Sequence, residues 1–131
     1  MSTVYSGVEG LVGTEKVGSH QCVALLQHYS GMLPTSNWRE GVKVLGHADI
    51  KKGTAIATFV NGRYPNLSHG NHAAYFVSQN KNGLWIVDQW KTSDPKWSTV
   101  KKRFITKKGG KRADGSYPMA SDNAEAFSVI E

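Results

Sequence analysis

The apolar positions change their period once along the chain. Over residues 23–32, Leu25, Tyr29 and Met32 recur at i, i+4 and i+7, and Val23 and Leu26 widen the same face. That spacing predicts a helix with most of one side buried. Ser19 is its expected N-cap, and Gly31 followed by Pro34 its stop, which places Cys22 in the first turn. A second short helix is expected after Pro34, capped by Thr35 or Ser36 and ending near Gly46. From Gly53 onward the pattern shifts to short runs rich in β-branched and aromatic residues at 54–60, 72–79, 84–90 and 100–106, with 127–130 a weaker fifth. Asn61-Gly62, the stretch 68–71 and the stretch 80–83 are turn formers, so consecutive strands are expected to pair antiparallel in a meander. Helix first and sheet afterwards predicts an α+β domain.

At 131 residues, 39% hydrophobic and 20% charged, the chain is sized for one domain, 1–131, with four Trp, five Tyr and four Phe to fill its core. The one cysteine rules out an internal disulfide and leaves Cys22 a free thiol. No run is long and apolar enough to span a bilayer, so no membrane partner is expected. Residues 1–13 lack the basic start and apolar stretch of a signal peptide. Positive charge is regional. Residues 91–112 hold nine Lys or Arg against Asp94 alone, a local +8 within a total of +6, leaving −2 elsewhere. Such a field favours an anionic partner: nucleic acid, acidic lipid or a carboxylate-rich polymer such as the bacterial cell wall.

Cys22 is the first candidate for chemistry. A helix N-terminus favours negative charge, and a nearby imidazole completes the activation of a thiol into the attacking thiolate. The competing reading, an inert buried cysteine, is weakened by the small or polar residues Gly18, Ser19, His20 and Gln21 just ahead of it. Of five histidines, His72 is the best partner, because it opens the strand Ala73-Ala74-Tyr75-Phe76-Val77 and the two alanines let a helix come close. His69 lies in the preceding loop, His20 and His28 are too near Cys22 in the chain, and His47 falls in a connector. A catalytic imidazole needs a third group to hold its tautomer, and the next strand offers Asp88 and Gln89. Pairing of Gln79 with Leu84 favours Gln89 on the face of His72, whereas a one-residue bulge favours Asp88. The sequence leaves both open.

The order of these segments resembles a known family. A cysteine at a helix start, then Gly53-Thr54-Ala55-Ile56-Ala57-Thr58-Phe59, then Gly70-Asn71-His72-Ala73-Ala74-Tyr75-Phe76, then Trp85-Ile86-Val87-Asp88-Gln89-Trp90 is similar to the papain-like peptidoglycan hydrolases of the CHAP and NlpC/P60 kind. Within that group, the small size and the segment Gln21-Cys22-Val23-Ala24-Leu25-Leu26-Gln27 look most like type VI secretion amidase effectors, toxins injected into the periplasm of another bacterium. The resemblance implies a papain-like fold, a helix bearing the cysteine on a sheet of about five strands. It also implies Cys22 as nucleophile, His72 as general base and acid, Asp88 as orienting group, and no cofactor. Papain-type enzymes carry a glutamine several residues ahead of the cysteine, whereas Gln21 is adjacent here, so the Cys22 backbone N–H is the better oxyanion donor.

The implied reaction is acyl transfer on an amide of the wall peptide, with the diaminopimelate–D-alanine cross-link the favoured bond. Gln21, Trp38, Asn71, Tyr75, Gln89 and Trp90 are candidates for substrate contact. Peptidoglycan, the secretion apparatus and a cognate immunity protein are the implied partners. The main rival is a basic module for nucleic acid or a protein, with Cys22 inert. It lacks motifs, since Trp97 and Phe104 are the only aromatics among the basic residues. A metal site from Cys22, His69 and His72 is a weaker rival, with no acidic fourth ligand evident.

Overall fold

The computed structural model describes residues 2–131. One α-helix, α1 (Cys22–Ser30), packs on a six-stranded antiparallel sheet of β1 (Glu40–Lys43), β2 (Ala55–Thr58), β3 (Ala73–Asn80), β4 (Gly83–Asp88), β5 (Lys101–Thr106) and β6 (Phe127–Ile130). The strand order is β1-β6-β2-β3-β4-β5. The α+β prediction therefore holds, and β2 to β5 form the expected meander. The C-terminal strand departs from it by inserting between β1 and β2. Every residue of β6 is buried, and Ser128 offsets the cost of that burial through a 2.7 Å hydrogen bond to Glu40.

The helix expected after Pro34 is absent. A single 3-10 turn (Thr35–Asn37) leads into β1, whose residues pair with β6. Val42 and Val44 flank Lys43, and a Cβ at Gly41 would lie 2.9 Å from the Val129 carbonyl, so glycine permits this close approach of strands. The sheet gains its sixth strand there. Ser19 does not cap α1 either. Gln21 is the N-cap, without a side-chain cap bond, and the chain enters through left-handed turns at Gly18 (φ 57°) and His20 (φ 69°). The C-terminal stop is as predicted: Gly31 is left-handed, and its N–H bonds to Gln27 O at 3.0 Å.

Two apolar clusters cover the two faces of the sheet. Leu25, Leu26, Ala55, Ala57, Ala73, Tyr75 and Val87 fill the helix side. Ile56, Ala74, Phe76, Leu84, Ile86 and Phe127 fill the other, under the turns Ala120–Asp122 and Ala124–Ala126. Of the two alanines thought to admit the helix, only Ala73 lies beneath it, with Ala55 and Ala57 from β2; Ala74 faces away. The register of the β3–β4 hairpin settles the choice left open by the sequence. Gln79 pairs with Leu84 and Ser78 with Trp85, but Phe76 pairs with Ile86 and Tyr75 with Val87, so the strand bulges at Val77. That one extra residue changes the face on which His72 meets β4.

Candidate active site

α1 lies against β3, and its first residue, Cys22, stands near the start of that strand, where His72 and the Ala73 amide act electrostatically on the sulfur. Nε2 of His72 donates to Asp88 Oδ2 at 2.6 Å, so Nδ1 is left for the sulfur. Asp88 is wholly buried, and the same Oδ2 accepts from Arg103 Nε at 2.9 Å. Arg103 in turn donates through Nη1 to Asp122 at 2.7 Å and lies over the Trp90 ring at 4.9 Å. A continuous hydrogen-bonded chain thus runs from His72 through Asp88 and Arg103 to Asp122, which caps the edge of the cleft.

The electrostatics follow this chain. Burial alone pushes the Cys22 thiol up, but the bond to His72 and its charge, with the Tyr64 hydroxyl and the Ala73 amide, hold it below the ordinary thiol value. Burial likewise works against a charged His72, yet its bonds to Asp88 and Cys22 raise the imidazole to about 9. The two shifts favour a thiolate–imidazolium pair. Tyr64 OH lies 3.7 Å from Cys22 Sγ. Burial and the neighbouring thiolate push this phenol above its usual range, so it remains a donor. Asn71 Nδ2 donates to the same hydroxyl at 3.3 Å, and Trp38 packs on the Tyr64 ring at 5.1 Å.

A cleft of about 460 Å³ opens beside His72, lined by the loop 68–71, Trp90, Trp97 and Asp122. Trp90 meets His72 edge-on at 6.4 Å and stacks on Trp97 at 4.9 Å. Asn71 and Trp90 are therefore placed where substrate contact was expected, and Gln21 is exposed beside Cys22. Three others are not. Tyr75 has no exposed surface and bonds Ser30 Oγ at 2.6 Å within the core. Trp38 is buried, with its indole N–H on Leu33 O at 3.0 Å, and backs Tyr64 rather than walling the cleft. Gln89 is 1% exposed and turns to the opposite side from Asp88, where it holds the loop ahead of α1. Alternation along β3 and past the end of β4 accounts for Tyr75 and Gln89, whose side chains leave the face shared by His72 and Asp88.

Sequence reasoning missed Tyr64 and Arg103. Tyr64 sits in an irregular loop with no period to place it. Arg103 is one of nine basic residues in 91–112 and nothing local sets it apart, yet along β5 it pairs across from Ile86, on the face of Asp88. The basic stretch is not one solvated surface: Arg103 is partly buried, Lys102 pairs with Glu9 at 2.9 Å, and Lys108 Nζ bonds Asp122 O at 2.6 Å. Its two aromatics are also engaged, Trp97 at the cleft and Phe104 against Trp85 at 5.2 Å. His69 is an exposed residue of the cleft loop, and His47 is tied through its carbonyl to Gln79 at the far end of β3. Among the described residues, no group of three or more His, Cys, Asp or Glu is arranged to hold a metal ion.

Comparison with known proteins gives a consistent picture. Residues 3–130 match the family model of domesticated amidase effector 2. A type VI secretion amidase effector 2 protein of Salmonella typhi is 49% identical over 134 aligned positions, covering 100% of both chains. A domesticated amidase effector 2 of Ixodes scapularis is 37% identical over 84 positions, 61% of this chain and 55% of the tick protein. A solved type 6 secretion amidase effector 2 superposes with a TM-score of 0.93 at 50% identity, covering 98% of this chain and 93% of the other.

Proposed function

The chain belongs to the domesticated amidase effector 2 family, and from that premise we propose that it is a cysteine amidase of bacterial peptidoglycan, a type VI secretion effector whose catalytic group is Cys22, His72 and Asp88. The observation that carries the reading is the buried Asp88 carboxylate holding Nε2 of an imidazole whose other side faces a helix-tip thiol.

The Cys22 thiolate adds to the amide carbonyl carbon, and the carbonyl oxygen takes the negative charge. The Cys22 N–H, one of the first-turn amides without an intrahelical partner, receives that oxyanion. His72, charged in the resting pair, gives its proton to the departing amine as the C–N bond breaks, leaving a thioester and a neutral ring. A water then loses its proton to His72 while attacking the thioester, and the acid product and thiolate leave. Asp88 keeps Nε2–H in place through both steps and offsets the charge on the ring. Trp90, Trp97 and the loop 68–71 flank the path along which the peptide approaches His72.

The bond we assign is the diaminopimelate–D-alanine cross-link, a choice supported by resemblance to related wall hydrolases. The same reading makes the periplasm of a target bacterium the place of action and gives the effector a cognate immunity protein that covers the cleft. Digestion of purified sacculi, with the fragments identified by mass, tests bond and activity together. Loss of cross-linked dimers with appearance of monomers is expected, along with no release by a folded Cys22→Ala variant. Unchanged sacculi, or equal release by Cys22→Ala, would overturn the assignment.

A further inference from the structure

Gln89 lies one residue beyond Asp88 but points to the other side of the sheet, and its hydrogen bonds all go to the segment that delivers the nucleophile. Its Oε1 accepts from Val17 N at 3.0 Å, while Nε2 donates to Val17 O at 3.1 Å and to Gln21 O at 2.8 Å. Both amide hydrogens are thereby used, so this side chain has no donor left for substrate or for His72. Lys16 Nζ strengthens the same joint by bonding Trp90 O at 2.7 Å.

Gln21 O belongs to the peptide unit that also contains the Cys22 N–H. A trans peptide is planar, and its C=O and N–H point in opposite directions, so fixing one fixes the other. Within the helix, Gln21 O accepts from Ala24 N at 3.1 Å. No side-chain cap restrains this end of α1, and the approach through Gly18 (φ 57°) and His20 (φ 69°) is a tight, irregular turn. The bond from Gln89, at the end of β4, ties this peptide unit through a side chain to the sheet carrying His72 and Asp88.

We infer that Gln89 is a positioning residue that aims the Cys22 backbone N–H at the oxyanion. The inference rests on the reading of Cys22 as nucleophile and deepens it: consecutive residues, Asp88 and Gln89, fix the imidazole and the oxyanion donor from opposite faces of one strand end. The thiolate itself does not depend on Gln89, because the Gln89 amide is spent on Val17 and Gln21, while the sulfur has Tyr64 OH at 3.7 Å and the charge of His72.

Two small reagents separate these roles without any wall substrate. Iodoacetamide alkylates a thiolate by displacing iodide from a saturated carbon and forms no oxyanion. p-Nitrophenyl acetate acylates the same thiolate through a tetrahedral oxyanion, giving a thioester and releasing p-nitrophenolate. In Gln89→Leu, acylation of Cys22 is expected to fall about 100-fold while alkylation stays within about threefold of the wild type. The isosteric Gln89→Glu, which sets a carboxylate against two carbonyls in place of the amide donor, is expected to behave alike and carries the test if Gln89→Leu fails to fold. Equal loss of both reactions, or undiminished acylation in a folded variant, overturns the inference, as does a wild-type Cys22 acylated no faster than a free thiol. A wild type that is acylated rapidly yet leaves sacculi intact would sink the wall-amidase assignment and leave this inference standing.

Discussion

Arg103 and Asp88 meet at 2.9 Å on Oδ2, the same carboxylate oxygen that accepts the His72 proton donor at 2.6 Å. Among the described residues, Oδ1 of Asp88 has no hydrogen-bond partner, so the buried carboxylate depends on that one oxygen. Asp88 is thus both the orienting group of the proposed site and the centre of a buried ion pair, and its two functions share one atom.

Removing the guanidinium leaves a buried charge with the imidazole as its remaining partner. Arg103→Met is expected to destabilise the fold by about 3 kcal/mol in urea unfolding, because the Asp88 desolvation cost stays while one of its two cations is gone. Asp122, which is half-exposed, also loses its partner but regains water. A variant as stable as the wild type would mean the pair contributes no more than a surface bridge.

Hydrolysis should follow a bell-shaped pH profile. The acidic limb is expected below the ordinary thiol range: burial opposes the thiolate, but His72, Tyr64 and Ala73 outweigh it. The alkaline limb is expected near pH 9, where His72, held up against its burial by Asp88 and Cys22, loses the proton needed by the leaving amine. Alkylation by iodoacetamide should show the acidic limb alone, since it needs no acid. A decline of alkylation above pH 9 contradicts this division.

The raised His72 value also predicts how stability changes with pH. The unfolded imidazole titrates near about 6.5, whereas the folded one holds its proton to about 9. At His72 the native state therefore holds one proton more between these values, while at Cys22, whose thiol is held below its ordinary value, it holds one fewer. In the wild type the two contributions oppose each other, and stability is expected to change little with pH between about 6.5 and 8.5. Cys22→Ala removes the opposing group and leaves His72 on Asp88, so its stability is expected to be highest below about pH 6.5 and to fall as pH rises through the folded imidazole value. A Cys22→Ala unfolding free energy that stays flat from pH 6 to pH 10 would exclude the linkage.

Tyr64→Phe removes the hydroxyl 3.7 Å from the sulfur while keeping the ring packed on Trp38. The thiol then loses a donor to its charged form, and the acidic limb of alkylation is expected to move to higher pH, with stability changed by about 1 kcal/mol or less. A limb that stays in place shows that His72 and Ala73 alone set the thiolate.

How much of this was legible varies with the range of the interaction involved. The helix carrying Cys22, its stop at Gly31 and the meander from β2 to β5 follow from periodicity and turn residues, which act over a few positions. Residues 40–43 read as helix because their strand character comes from pairing with β6, which lies at the other end of the chain. Tyr75 and Trp38 carry the composition of cleft walls but face the core, and no local signal separates those environments.

By itself the sequence determined which chemistry was available: one thiol at a helix start, a histidine opening a strand, and two polar residues, Asp88 and Gln89, closing the next. Only the tertiary structure decided their division of labour. A single extra residue in β3, at Val77, turns Asp88 toward His72 and Gln89 toward the loop before Cys22. Side chains alternate with a period of two, so one residue of register exchanges two faces. That register is set by packing across the whole sheet and is not encoded in the few residues it rearranges.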